Sequence, residues 1–77
     1  MKYSLDRQAG VPAYMQIYNL LRQDITSGAI APGAKLPSKR ILAGELEVSV
    51  ITVEHAYALL ADEGYIQCRQ RSGYYAS

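Results

Sequence analysis

Between Pro12 and Ser27 the apolar residues Ala13, Ile17, Leu20, Leu21 and Ile25 recur at i, i+4, i+7, i+8 and i+12, which places them along one face of a helix. Pro12 suits the first helical position, where a missing N–H costs nothing, and Gly28 suits the left-handed conformation that ends a helix. A first helix is therefore expected over about 12–27, with its stripe turned to the core. Ala31-Pro32-Gly33 then turns the chain, and Ala34 to Leu36 is short enough for an edge strand that pairs with a hairpin further on.

Ser38, behind Pro37, is a good N-cap for a second helix that buries Leu42, Ala43 and Leu46. Ser49 marks a third, because Val53, Ala56, Tyr57 and Leu60 follow at i, i+3, i+4 and i+7 and Gly64 closes it. Neither serine has Glu or Gln three residues later, so the reciprocal capping box is absent at both starts. Only Glu47 and Val48 separate the two helices, which forces a sharp angle between them. From Tyr65 the period changes to two. Ile66 and Cys68 alternate with Gln67 and Arg69, Gln70 to Gly73 form a turn, and Tyr74-Tyr75 begin the return strand. Cys68 is expected as a small buried strand residue rather than a reactive thiol, since no base, metal partner or second cysteine accompanies it. The order of elements predicts a mainly α fold with a small β-hairpin: three helices and a wing, arranged as a winged helix-turn-helix.

Length narrows this further. Seventy-seven residues, 49% of them hydrophobic, make a single domain over 1–77 with a core that is only marginally sufficient. No apolar run approaches the roughly 18 residues of a membrane span, and Met1 to Arg7 lacks the apolar stretch of a signal peptide. One cysteine permits no intrachain disulfide, so a cytoplasmic location with no membrane partner is the expectation. The formal net charge of +1 is a poor argument for nucleic-acid binding by itself. Distribution matters more. Lys35, Lys39 and Arg40 lie between Asp24 and Glu45 with no acid among them, and after Glu63 the only charged side chains are Arg69 and Arg71.

At about 100° per residue, Val53, Ala56, Tyr57 and Leu60 share one arc of the third helix, so Ile51 and His55 project from the other, with Thr52 on the flank. The first turns of such a helix, from about 49 to 63, enter a major groove before the rest. There the Thr52 hydroxyl suits a base or phosphate, His55 can donate or accept, and Ile51 can pack on a thymine methyl. The plainer alternative makes Ile51 a partly covered surface residue and His55 a solvated one. Ser38 and Ser49 serve equally as caps or as phosphate donors at helix starts. Lys39 and Arg40 open the second helix, where cations oppose the helix dipole, a placement that makes more sense beside a phosphate. In the hairpin, over about 66–76, Arg71 at the tip suits a minor groove or a phosphate row, with Arg69 on its flank.

Several ordered segments carry a family resemblance: Pro12-Ala13-Tyr14-Met15-Gln16-Ile17-Tyr18, Gly28-Ala29-Ile30-Ala31-Pro32-Gly33, Leu36-Pro37-Ser38-Lys39-Arg40-Ile41-Leu42-Ala43, Thr52-Val53 and Glu63-Gly64-Tyr65-Ile66. In this order they resemble the amino-terminal domain of GntR-type bacterial transcription regulators. Ala56-Tyr57 and Arg71-Ser72-Gly73-Tyr74-Tyr75 are similar to the MocR branch, with the YtrA-like branch second. The resemblance implies that Arg40 contacts DNA, together with Ser49, Val50, Ile51 and Thr52 and the wing tip Gln70, Arg71, Ser72 and Gly73. It also implies a homodimer on double-stranded operator DNA, with dimerisation and ligand sensing in an effector domain. The chain stops just after the wing, so a fragment lacking that domain is expected. No cofactor is expected in this chain; the pyridoxal phosphate of the MocR branch would belong to the absent carboxy-terminal part. Two positions depart from the family. Val50 stands where an arginine usually follows the serine that opens the third helix, and Arg71 stands where the wing usually has a further glycine. Valine cannot make a bidentate guanine contact.

Other function classes are distinguishable. A protein-interaction module on a winged-helix scaffold would use exposed apolar residues such as Ile51, Tyr74 and Tyr75, with weak salt dependence. An enzyme is not expected, because one His, one Cys and scattered acids at Glu45, Glu47, Glu54, Asp62 and Glu63 form no nucleophile–base pair or metal-ligand set.

Overall fold

The computed structural model describes residues 3–77; Met1 and Lys2, part of the stretch read above for a targeting signal, lie outside the described residues. The elements run α1 (Ala13–Ser27), α2 (Lys39–Leu46), α3 (Val50–Asp62), β1 (Ile66–Arg69) and β2 (Gly73–Ala76). Pro12 sits one position outside α1, as its N-cap with an extended ψ of 147°, rather than inside the first turn. Its carbonyl still receives the first helical N–H groups, from Met15 at 3.0 Å and Gln16 at 3.1 Å. Gly28 ends α1 in the left-handed conformation at φ 87°.

Both serine caps form. Ser38 Oγ accepts from the Ile41 N–H at 3.2 Å and Ser49 Oγ from the Thr52 N–H at 3.1 Å, each satisfying a donor the helix start would otherwise leave unpaired. Between α2 and α3 the chain turns at Glu47, a non-glycine residue at φ 57°, and the Val48 N–H reaches back to the Ala43 carbonyl at 3.0 Å. This compact turn holds α3 at a fixed angle across α2.

The core forms where the apolar stripes meet. Ile17 and Leu21 of α1, Leu42, Ala43 and Leu46 of α2, Val53, Ala56, Tyr57 and Leu60 of α3, and Leu36 and Ile66 are all buried in one cluster. Ala13, Leu20 and Ile25, also on the stripe of α1, are only half covered.

β1 and β2 pair antiparallel with Ile66 opposite Ala76, Gln67 opposite Tyr75, Cys68 opposite Tyr74 and Arg69 opposite Gly73, so the return strand begins one residue earlier than the pattern suggested. The segment Ala34–Leu36 lies along the free edge of β2 as expected, bridging at Lys35 and Tyr75. Its backbone bonds are Leu36 N–H to the Tyr74 carbonyl at 2.8 Å and Ala76 N–H to the Ala34 carbonyl at 2.9 Å. Cys68 corrects the sequence expectation, because it is exposed. It shares a strand face with buried Ile66 but lies about 7 Å further out along the hairpin. Opposite it, Tyr74 of β2 packs against buried Tyr57, so at this level β2 meets the core while Cys68 on β1 stays exposed, a difference that alternation alone cannot show.

Candidate nucleic-acid interface

Three elements position the candidate residues, and one lysine joins them. Lys39 Nζ, in the first turn of α2, donates to Glu54 Oε2 of α3 at 2.9 Å and stands 5.7 Å from the centre of the Tyr74 ring in β2. The bond to Glu54, ahead of other effects, raises the Lys39 pKa above its ordinary value. Lys39 is thus occupied within the domain rather than extended outward. Arg40, next in sequence, is exposed, and among the described residues it has no carboxylate within ion-pair distance.

Tyr57 reinforces this junction from below. Its hydroxyl donates to the Pro37 carbonyl at 2.7 Å, and its ring meets Tyr74 edge-on, with centroids 4.8 Å apart and planes at 65°. The entry to α2, the middle of α3 and strand β2 of the wing are therefore tied through one buried side chain. Burial is the main cause that pushes the Tyr57 phenol well above its ordinary pKa, with the Tyr74 and Glu45 charges adding to it.

At the start of α3 the polar groups bond to one another. Ser49 Oγ caps the helix and also lies 2.8 Å from Thr52 Oγ1, and Thr52 is half-buried. The apolar residues are turned outward: Val50 is 43% exposed and Ile51 75% exposed. One turn later His55 is exposed at its rim, but its ring is stacked flat on Tyr14 of α1, with centroids 3.8 Å apart and 3° between the planes. His55 is thereby drawn toward α1, away from the Lys39 junction on the other flank.

In the wing, the Arg69 guanidinium lies over the Tyr75 ring at 4.4 Å, which holds it along the strand. The Ser72 N–H donates to the Arg69 carbonyl at 3.0 Å, closing a turn with Gln70 and Arg71 at its centre. Arg71 there has φ 67°, a conformation that side chains resist, at the position of such a turn where glycine is usual. Gln70, Arg71 and Ser72 are exposed, and the Ser72 hydroxyl is hydrogen-bonded to that of Tyr75. Gly73 faces Arg69 across the strands and has the aliphatic end of Lys35 beside it.

Two contributors were missed from sequence. Lys35 stands against the wing, and its only signal was membership of the acid-free cluster before α2. Arg7 carried none: its Nη2 donates to the Leu46 carbonyl at 2.8 Å and the Glu47 carbonyl at 3.2 Å, covering the end of α2 from 39 and 40 residues away. Its segment is itself anchored on α1, where Gln16 accepts from the Asp6 N–H and donates to the Asp6 and Val11 carbonyls, all at 2.8 Å. No helix among the described residues is long and apolar enough to cross a membrane, and no group of three or more His, Cys, Asp or Glu side chains among them is placed to hold a metal ion.

Known proteins share the fold. The sequence model of the family described as "Bacterial regulatory proteins, gntR family" matches residues 13–75. An uncharacterised HTH-type transcriptional regulator of Bacillus subtilis, YdeL, is 47% identical over 72 residues, which are 94% of this chain and 16% of that protein. The probable rhizopine catabolism regulatory protein MocR of Rhizobium meliloti is 42% identical over 69 residues, 90% of this chain and 14% of its own length. This chain thus spans about one sixth of those relatives. Among solved structures, YtrA from Sulfolobus acidocaldarius, a GntR-family transcription factor, superposes with a TM-score of 0.88 at 40% identity, covering 94% of this chain and 76% of its own. The AraR DNA-binding domain, crystallised in complex with operator ORE1, gives a TM-score of 0.83 at 25% identity over 100% of this chain and 94% of its own. The three helices and hairpin are thus a shared winged helix-turn-helix, and with it this chain belongs to the GntR family of bacterial regulatory proteins.

Proposed function

We propose that this chain is the sequence-specific DNA-binding domain of a bacterial transcription regulator, with α3 entering the major groove of duplex operator DNA and the wing lying on the minor groove or on phosphates. The observation that carries the reading is the outward face itself. Arg40 at the opening of α2 and Arg71 in the wing loop are both exposed and, among the described residues, have no carboxylate within ion-pair distance, while Val50 and Ile51 at the start of α3 reach solvent, a set of groups that suits a polyanion with a readable groove. The AraR complex supports it, since a domain of the same fold holds an operator.

Within this reading the roles divide by geometry. Arg40 contacts a base edge or a phosphate, Arg71 with Gln70, Ser72 and Gly73 follows the backbone or minor groove, and Val50, Ile51 and Thr52 face the bases. The N–H groups capped by Ser38 and Ser49 lie at helix starts, which favour phosphate. His55 and Arg69 act from the flanks, steered by Tyr14 and Tyr75, and Lys39 holds the elements together. The domain binds and does not turn over substrate. In the whole regulator, operator binding by a cytoplasmic homodimer follows from the same reading, with effector sensing in another part. Pyridoxal phosphate does not fit the described residues. Its Schiff base needs an uncommitted lysine within a pocket, and among the described residues Lys39 is bound to Glu54 while Lys35 is exposed on the wing edge.

Selection from a random duplex library by the purified chain at low and moderate salt tests the proposal. A short enriched motif whose retention falls with salt is the expected result. Failure to retain DNA at either salt would refute it and favour a protein-interaction module instead.

A further inference from the structure

The start of α3 offers a groove an unusual set of groups. Ser49 Oγ is taken by the Thr52 N–H and hydroxyl, Glu54 by Lys39, and the His55 ring by Tyr14. What remains turned outward on the first turn is apolar: Val50 at 43% and Ile51 at 75% exposure. No cation stands on this turn. The nearest unpaired guanidinium in sequence, Arg40, opens α2 rather than α3. Arg40 at the start of α2 and Arg71 in the wing loop, both exposed and without an ion-pair partner among the described residues, are charges that suit phosphates rather than an apolar protein partner.

A major groove presents one apolar group to such a surface, the methyl on C5 of a pyrimidine. We infer that the first turn of α3 reads pyrimidine C5-methyl groups, Val50 and Ile51 packing on thymine, or on 5-methylcytosine where the DNA carries it. The inference rests on the DNA-binding reading above and narrows it. Guanine recognition moves from α3 to Arg40 and the wing, and operator preference along α3 is set by removal of methyl groups from water rather than by hydrogen bonds.

The test starts from the motif selected by the chain. Each thymine in it is replaced singly by deoxyuridine, which removes the methyl and leaves every hydrogen-bonding group in place, and affinity is measured by fluorescence anisotropy at fixed salt. At one or two positions the loss should be about fourfold, the value of one methyl-sized group withdrawn from water. Ile51→Ala and Val50→Ala, both at exposed positions that leave the core intact, should each abolish the uridine penalty at the position it faces. A cytosine placed at such a position should bind more tightly when 5-methylated if the methyl alone is read; without that gain the contact is to thymine only. A selected motif in which every thymine tolerates uridine, or a penalty that survives both alanine substitutions, would overturn the inference. Absence of any selected motif would appear earlier and defeat the DNA-reading proposal itself.

Discussion

Replacing Tyr57 by phenylalanine removes one oxygen from the centre of the domain and leaves the packing in place. That oxygen donates to the Pro37 carbonyl at 2.7 Å, holding the entry to α2 against α3. A neutral hydrogen bond contributes about 0.5–1.5 kcal/mol net, and a carbonyl left without its donor costs about 1–3 kcal/mol when fully buried. Pro37 is half-buried, so water recovers part of the second cost, and the expected destabilisation is about 1–2 kcal/mol. A domain of this size should be stable by roughly 4–12 kcal/mol, so the variant stays folded, with Tm lowered by about 5–15 °C. Tyr57→Ala, by contrast, opens a cavity costing about 3–5 kcal/mol and threatens the fold outright.

The pH dependence gives a second handle. Burial holds the folded-state pKa of Tyr57 above the value near 10 expected when unfolded. A raised folded pKa means that the stabilisation is fully present below about pH 10 and is lost above it, as the unfolded chain releases a proton that the folded chain retains. The stability difference between wild type and Tyr57→Phe should therefore be flat below about pH 10 and shrink above it. Comparing the two proteins cancels other tyrosines, including Tyr3, whose pKa burial and its bond to Asp24 also raise. Urea unfolding followed by circular dichroism at several pH values reads both effects. Equal stability at neutral pH, or a difference that grows with alkali, would refute the role given to the hydroxyl.

Arg40→Ala should weaken operator binding by about 1–3 kcal/mol and relax preference at one position if Arg40 reads a base. Unchanged affinity and preference in a binding titration would remove it from the interface. Arg71→Gly should stabilise the free domain by about 0.5–1 kcal/mol, because glycine relieves the left-handed backbone at φ 67° at a smaller entropic cost. The same variant should reduce the log–log salt slope of DNA binding by about 0.9 if Arg71 neutralises one phosphate; an unchanged slope would place the side chain away from the backbone. Arg7→Ala should cost about 1 kcal/mol in urea unfolding by uncovering the last carbonyls of α2, with partial recovery in Arg7→Lys. No loss would mean that solvent satisfies those carbonyls equally well.

Helix periods, caps and turns were legible because each depends on neighbours within a few positions. Val53, Ala56, Tyr57 and Leu60 are buried as their spacing required, Ser38 and Ser49 cap as their positions suggested, and Gly28 ends α1. The order of these local signals also carried the family and the winged helix-turn-helix, since short connections leave three helices and a hairpin few ways to share one core. Side-chain commitments were not legible. Lys39 to Glu54, His55 on Tyr14 and Arg7 on the end of α2 join positions 15 to 41 residues apart, and no local pattern encodes which exposed cation or ring finds a partner. Cys68 followed the strand period and was still exposed, because burial depends on which strand meets the core, and at this level it is Tyr74 of β2 that packs on Tyr57. The chain's own periodicity determined which elements form and which faces meet, through forces that act between near neighbours. Only the tertiary packing decided which polar side chains are spent inside the domain, leaving Arg40, Arg71, Val50 and Ile51 facing outward.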